Sequence, residues 1–393
     1  MTLRNNTDVN GNKDAKALLK QFLDPAEQDP IGYVAIVAAK EPNTFMVGFS
    51  GTVELEKVGL EGIRKADSII QANLDNRTMP PRDETLDESH VCYNVTTSPI
   101  SFDFLTWMID MEQRRINANA PFPLKIAFWF GNDGKTGLAG MPDRESMLNN
   151  VCRPAMKLIG AVEDPKSLLG HTSDFFSYRR TVDLYNATKI IPKFKTDVKS
   201  PIKKPGYVTI TLRETTYWPH RNSRINEWLN FANYLKGKGE RVIFVRDTRL
   251  ADEPIEGFKT CPIASKDLIQ RCALYRDAKC NCFVANGPIS LAYFGDSPWL
   301  KFFEIDDQGA YNAAKSEYWR VCVGLDPDKQ EQFPWSTDKQ RIVWKPDYFT
   351  NMVLAWEELG LSEANAGVST SGKNGTNLRL KKKKKSKIVT KKT

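Results

Sequence analysis

The chain has 393 residues, 41% of them hydrophobic, so it can build real cores, and its length favours two domains. It lacks both the run of about 18 apolar residues that a spanning helix needs and an apolar secretory signal near Met1, so we expect a cytoplasmic protein. Ten lysines and arginines and no acidic residue follow Glu363, so the net charge of +8 for the whole chain leaves −2 for residues 1–363. This charge argues against nucleic-acid binding by the part of the chain before the tail.

The first 88 residues predict a flexible start and a small module. Residues 1–30 are polar and we expect them to be loosely ordered. The apolar runs 33–38 and 45–49 are typical of strands that pair across the Pro42 turn. A helix is expected over Val58–Ala72, so residues 31–88 would form an extra module within a first domain of 31–190.

Strand and helix patterns alternate in the rest of this first domain. His90–Val95 and the continuous apolar run Leu124–Phe130 predict buried parallel strands. Ser101 can cap a helix that ends near Ile116, and a second helix is expected over Asp143–Ile159. This order indicates βαβ units, and the segment 191–206, rich in lysine and proline, reads as an interdomain linker.

The second half repeats the pattern, which predicts a nucleotide-binding α/β domain over 207–345. The fold class we expect from these patterns is therefore α/β, with two domains. Pro346 should begin a C-terminal helix over 346–360, and the lysine-rich tail 364–393 should be disordered. The elements expected between these bounds are strands 207–212, 242–245, 280–284 and 300–305, and helices 225–235, 265–276 and 288–294, with Ser265 as a cap.

Several polar residues follow the strands of this second domain. Because ligands bind at the carboxyl ends of parallel strands, these residues should meet in one crevice. Arginines, hydroxyls and helix N-termini together suit an anion such as phosphate. The candidate donor-binding residues are Arg213, Thr215, Arg221, Asn222, Ser223, Arg246, Asn286, Gly287, Ser290 and Asp306.

Each of these residues also has a purely structural interpretation. Arg221 could be a solvated helix start, Arg246 a surface residue, and Asp306-Asp307 an acidic turn. The sequence Asn286-Gly287-Pro288 is more often only a turn before a helix. Their shared position at strand ends is what favours the functional interpretation.

Two segments carry a resemblance to a known class of enzymes. VTITLRET with RNSRINEWLNFANYLKGKGERVIFVRD and NGPISLAYF resembles the donor-binding half of GT-B glycosyltransferases, of the fucosyltransferase-like and heptosyltransferase-like groups. CYNVTTSPISFDFLTWMIDMEQRR with LKIAFWFGNDG is similar to the acceptor half of uncharacterised bacterial relatives. The resemblance covers roughly residues 88–360, and Leu212-Arg213-Glu214 replaces the basic fucosyltransferase pattern, which argues against a fucosyl donor.

The resemblance implies a GT-B-like fold, with two Rossmann-like domains facing each other across a cleft. It also implies a nucleotide-diphosphate sugar as co-substrate between them, with no further cofactor and no metal. It places Arg213 on the diphosphate, Asn286, Gly287 and Ser290 on the phosphates or sugar, and Asp306 on the ribose or base. The acceptor would be a glycan or a lipid-linked molecule.

The catalytic base must come from the facing domain, where Asp133 and His171 are the candidates. Asp133 in an Asn-Asp-Gly turn and Asp103 at a helix start are both also explained by local structure.

Two rival functions stay open from the sequence. One is a non-catalytic protein that binds a nucleotide or glycan, and the other is nucleic-acid binding by the tail alone. In the tail, residues 381–392 hold eight lysines, which could instead attach the protein to an anionic membrane surface. The seven cysteines and the histidines His90, His171 and His220 show no disulfide framework or metal-ligand spacing.

Overall fold

The computed structural model describes residues 79–361 apart from 97, 99, 132–143, 173–177, 217–218 and 310, together with the backbone of two earlier strands. These strands, β1 (Val34–Ala38) and β2 (Phe45–Phe49), pair antiparallel with Ala38 opposite Phe45, so the predicted pairing is confirmed. The predictions for residues 1–30, for the helix at 58–72 and for the tail lie outside the described residues.

A small parallel sheet organises the first half. Its strands are β3 (His90–Asn94), β4 (Lys125–Trp129) and β5 (Val162–Glu163), in that spatial order. Helix α1 (Asp103–Asn117) leads from β3 to β4. From β4 the chain returns to β5 through α2 (Arg144–Met147), a π-helical stretch and α3 (Arg153–Ile159). The expected βα alternation is confirmed here.

Helix α4 (Tyr178–Thr188) closes the first half and was not predicted. Its apolar stripe is short, since only Tyr178, Val182 and Tyr185 belong to the core or pack against it, and such a stripe is a weak signal for a helix.

Six parallel strands form the sheet of the second half. In spatial order they are β11 (Gln340–Val343), β10 (Trp299–Phe302), β9 (Cys280–Phe283), β6 (Val208–Thr211), β7 (Val242–Val245) and β8 (Lys259–Thr260). The chain runs outward from β6 to β8, then returns to the other side of β6 as β9. The strand order therefore reverses between β6 and β9, the position at which open parallel sheets bind ligands.

The helices of the second half correct two predicted boundaries. They are α5 (Ile225–Gly237), α6 (Pro262–Lys266), α7 (Leu268–Arg276), α8 (Ser290–Tyr293), α9 (Ser316–Tyr318) and α10 (Phe349–Leu359). The cap of α7 is Asp267, which accepts from Ile269 and Gln270 N–H, whereas the Ser265 hydroxyl donates to the Arg246 carbonyl. Pro346 was predicted to begin the C-terminal helix, but α10 begins at Phe349. Tyr348, which is extended, is the N-cap of α10, so Pro346 lies outside the helix.

The two faces of the six-stranded sheet pack against different partners. One face is covered by α5 and α10, with Trp228 and Trp356 fully buried between them and the sheet. The other face joins a core that also contains Phe104 and Trp107 of α1. The first half therefore packs directly on the second.

The segment 191–206 contacts both halves. Phe194 N–H donates to the Phe294 carbonyl at 2.9 Å, and Lys195 N–H donates to the Leu158 carbonyl at 2.9 Å. Phe194 and Ile202 are buried. The division of the chain into two domains at 191–206 stays a prediction. The contacts that hold this segment could not be predicted from its lysine-rich composition.

Candidate active site

A cavity of about 430 Å³ lies at the carboxyl edge of the six-stranded sheet, beside the strand-order reversal. Its walls combine aromatic, cationic and acidic side chains from the loops after β6, β9, β10 and β11. The lining residues that matter most below are Arg221, Asn222, Phe303, Asp306, Tyr311 and Asp347. This position is the one that the strand-end argument predicts.

The loop after β6 holds four of the predicted residues in one hydrogen-bonded unit. Arg213 N–H donates to the Ser223 hydroxyl at 2.9 Å, and Ser223 N–H donates back to the Arg213 carbonyl at 2.9 Å. Arg213 Nη1 donates to Asn222 Oδ1 at 2.6 Å, which also accepts from Thr215 N–H at 3.2 Å. Burial and the nearby Arg221 lower the pKa of Arg213 to about 10, so the guanidinium stays charged at neutral pH.

Arg221 lies on the cavity wall. Its guanidinium stacks over the Tyr311 ring at 4.4 Å and donates from Nη2 to the Ala285 carbonyl at 3.2 Å. Its Nε is buried and has no hydrogen-bond partner. No carboxylate of the described residues lies within ion-pair distance of Arg221, so an anionic ligand could supply its counter-charge.

Arg246 is in a different situation. Its Nε and Nη2 donate to the two carboxylate oxygens of Glu214 at 3.0 and 2.5 Å, and both side chains are largely buried. Its Nη1 donates to the Glu253 carbonyl at 3.2 Å. Phosphate binding by Arg246 would therefore require this ion pair to open.

Arg224, in the same loop as Arg221, is also engaged. It contacts Glu304 at 2.7 Å and Asp347 at 2.5 Å, and Asp347 also accepts from the Trp228 indole at 2.7 Å. These contacts fasten the start of α5 to the loop after β11.

The loop after β9 packs against the start of α1. A side chain at Gly287 would lie 2.6 to 2.8 Å from Phe102, so Phe102 occupies the space that glycine leaves open. Asn286 Nδ2 donates to the Thr211 carbonyl at 3.4 Å, while its Oδ1 is buried without a partner. Ser290 is buried and hydrogen-bonds to Tyr178, whose pKa burial raises to about 12.

The carboxylates after β10 hold their own loop. Asp306 accepts from Gly309 N–H at 2.8 Å, and Asp307 accepts from Ser316 N–H at 2.7 Å and from its hydroxyl at 3.0 Å. Asp306 still lines the cavity, whereas Asp307 caps α9.

Asp103 of α1 is a first-half carboxylate that lies within electrostatic range of Arg221 on the cavity wall. It accepts from the Ser101 hydroxyl at 3.0 Å and makes no capping bond to the helix. Burial raises its pKa, while Ser101 and then Arg221 lower it in part. Asp103 and Arg221 thus interact electrostatically without forming an ion pair.

Of the two predicted candidates for the base, only His171 belongs to the described residues. Asp133 lies outside the described residues. His171 contacts Arg114 and lies 3.4 Å from Arg82, and burial, then Arg114, lowers its pKa. The charged groups that act on His171 include none of the cavity residues.

Three residues of this region were not found from the sequence: Lys301, Tyr311 and Asp347. Lys301 sits inside an apolar strand, where its charge is the only signal. Tyr311 and Asp347 lie in irregular loops whose folding against β6 and α5 has no periodic pattern.

The described part of the chain contains no cluster of three or more histidine, cysteine, aspartate or glutamate side chains placed to hold a metal. Within the same residues no helix is long and apolar enough to cross a membrane.

No protein-family model and no curated protein matches the chain. Similar solved structures include the iron-containing dodecameric glycosyltransferase TibC from enterotoxigenic E. coli H10407, at 15% identity and a TM-score of 0.41, over 74% of this chain and 82% of that one. The E. coli heptosyltransferase WaaC, solved with ADP, is similar at 12% identity and a TM-score of 0.36, over 70% and 99% of the two chains. The glycosyltransferase family 9 protein from Veillonella parvula DSM 2008 is similar at 12% identity and a TM-score of 0.22, over 51% of this chain and 62% of that one. Similarity of this degree concerns the fold and not the donor, the acceptor or the role of a residue.

Proposed function

We propose that this chain is a glycosyltransferase that moves a sugar from a nucleotide-diphosphate donor to an acceptor hydroxyl without a metal ion. The observation that carries the proposal is the cavity at the carboxyl edge of the six-stranded sheet, whose wall holds Arg221, together with Asp103 of the first half, which lies within electrostatic range of that guanidinium. A cation for the leaving group and a carboxylate for the acceptor are the two charges that glycosyl transfer requires.

The donor side is supported by the contents of the cavity. Its volume of about 430 Å³ is within the range of small-molecule sites. Tyr311 and Phe303 offer aromatic surface on which a nucleobase can stack, and Asp306 offers a carboxylate for ribose hydroxyls. Arg213 and Arg221 provide guanidinium groups suited to phosphate oxygens.

The acceptor side is supported by Asp103. Asp103 is half-buried as a residue, and burial raises the pKa of its carboxyl group. A carboxylate in such surroundings is a stronger base than an exposed one, so it can accept the acceptor hydroxyl proton as the bond to the sugar forms. We therefore favour Asp103 over Asp133 and His171 as the base.

Metal independence is supported by the carboxylates around the cavity. Glu304 and Asp347 are paired with Arg224, and Asp306 and Asp307 accept backbone N–H groups. The charge of a leaving diphosphate would instead meet arginine side chains.

Calorimetric titration with UDP, GDP, ADP and dTDP, followed by transfer assays with the sugar nucleotide of the best ligand, tests the proposal. We expect one nucleotide to bind and its sugar to be transferred or hydrolysed. Tight binding with no turnover on any acceptor would favour the non-catalytic binding protein, and no binding of any nucleotide would overturn the proposal.

A further inference from the structure

Lys301 is a charged residue in an apolar row of the six-stranded sheet. The strand register aligns it with Phe283 on β9 and with Ile342 on β11, and Phe283 in turn aligns with Thr211 on β6. Phe283 and Ile342 both belong to the core shared with the first half. Lys301 is 3% exposed, so its side chain enters this core and not solvent.

Three aromatic rings surround the ammonium group. Nζ lies 4.3 Å from the ring centre of Trp319, 4.5 Å from that of Phe303 and 5.5 Å from that of Tyr293. Among the described residues Lys301 has neither a hydrogen-bond acceptor nor a carboxylate partner. Ring faces attract a cation but do not replace the hydrogen bonds that an ammonium loses on leaving water.

The surroundings are those of the proposed site. Phe303 lines the cavity, so the ammonium lies directly behind the cavity wall. Burial, followed by the charge of Arg221, lowers the pKa of Lys301. The Tyr293 hydroxyl and Arg221 Nε are also buried without partners among the described residues.

A structural role does not explain this arrangement. A buried charge without a partner destabilises a fold, and an apolar side chain of the same length would pack among three rings at less cost. Strained or unsatisfied groups of this kind are found at functional sites, where a ligand completes them.

We propose that Lys301 and Arg221 form an oxyanion-binding position on the sheet side of the crevice, with the Tyr293 hydroxyl as an additional donor. The ligand is a phosphate or carboxylate oxygen of a substrate, which supplies the missing counter-charge. This inference deepens the proposed function, since it assigns an anionic group of the substrate to a residue inside the sheet.

The test compares wild type with Lys301→Met, which keeps the length and apolar packing of the side chain and removes its charge. Lys266→Met is the matched control, because Lys266 is exposed and pairs only with Asp252. Calorimetry at fixed ionic strength would use pyrophosphate, glucuronate, the best nucleoside diphosphate and its uncharged nucleoside. If Lys301→Met is insoluble, Lys301→Gln takes its place.

We expect Lys301→Met to lower the affinity for one of the two oxyanions by about tenfold or more. The affinity for the nucleoside should stay unchanged. Lower affinity for pyrophosphate identifies a phosphate as the ligand, and lower affinity for glucuronate identifies a carboxylate. We also expect the ligand-free variant to melt at a higher temperature than wild type, while Lys266→Met changes neither property.

Unchanged affinity for both anions, equal weakening of the neutral nucleoside, or wild type that binds neither anion would overturn the inference. Binding of pyrophosphate through Lys301 by a protein that binds no nucleoside diphosphate would reject the proposed function and leave this position standing.

Discussion

At the scale of single residues, the ionisation of Asp103 should govern the rate. Because burial raises its pKa, activity should fall with decreasing pH at a higher pH than for an ordinary aspartate. Asp103→Asn should lower kcat by about 10²–10⁴ with little change in donor binding. The pH profile of kcat/KM for wild type and variant measures this.

Stability separates this role from a structural one. A raised folded-state pKa means that stability decreases as pH rises through that pKa, so at neutral pH the ionised Asp103 costs stability. Asp103→Asn should therefore melt at or above the wild-type temperature. Asp183→Asn, at an exposed ion pair with Arg179, is the control and should keep full activity. Full activity of Asp103→Asn would exclude it as the base.

Arg213 belongs to the same scale. Arg213→Ala should reduce nucleoside diphosphate affinity by about tenfold or more, because the guanidinium bears a charge that a phosphate can use. Calorimetry on this variant and on the exposed neighbour Arg249→Ala would measure the difference. Since Asn222 also binds Thr215, the loop should persist, and circular dichroism checks this. An Arg213→Ala variant that binds nucleotide normally would contradict the assignment.

At the scale of elements, we expect the contact between Phe102 and the loop after β9 to hold the start of α1 beside the cavity loops. Gly287→Ala would place a methyl group 2.6 to 2.8 Å from Phe102, so we expect a loss of about 1–3 kcal/mol in the free energy of unfolding. Urea denaturation measures it. Gly237→Ala, where no atom lies within 4 Å, should not destabilise the protein.

Transfer activity should fall together with stability in Gly287→Ala, because α1 carries Asp103. If the variant is as stable as wild type, Phe102 has moved aside and the contact does not hold the start of α1.

The loops around the cavity also predict the response to chelators. Their carboxylates already pair with Arg224 or with backbone N–H groups, so activity should survive EDTA. Transfer assays before and after dialysis against EDTA check this. Complete inactivation that manganese or magnesium reverses would reject the metal-free mechanism.

At the scale of the whole molecule, residues 381–392 concentrate eight lysines. Each lysine near an anionic leaflet contributes about 1 kcal/mol, so several could hold the enzyme beside a lipid-linked acceptor. Full-length protein should sediment with anionic liposomes, less at high salt, whereas a variant that ends at Glu363 should not. The shortened protein should keep its activity on a soluble acceptor, and equal sedimentation of both would reject the tail as the anchor.

The sequence by itself determined the positions of most strands and the sheet edge at which the cavity lies. The apolar runs of β4, β6 and β7 are local signals, and the carboxyl-end rule then brings Arg213, Arg221 and Asn286 to one crevice. Short strands such as β5 and β8, with two residues each, have no such signal and were missed.

Tertiary structure alone decided which charges are already engaged. Arg246 binds Glu214, 32 residues away in the chain, and Arg224 binds Asp347, 123 residues away, whereas Arg221 has no such carboxylate among the described residues. Strand order likewise surrounds Lys301 with rings from three separate segments, and packing brings Asp103 within electrostatic range of Arg221. A charge acts through its neighbours in space, and long-range packing sets those neighbours, so sequence spacing identifies the candidates while the fold selects among them.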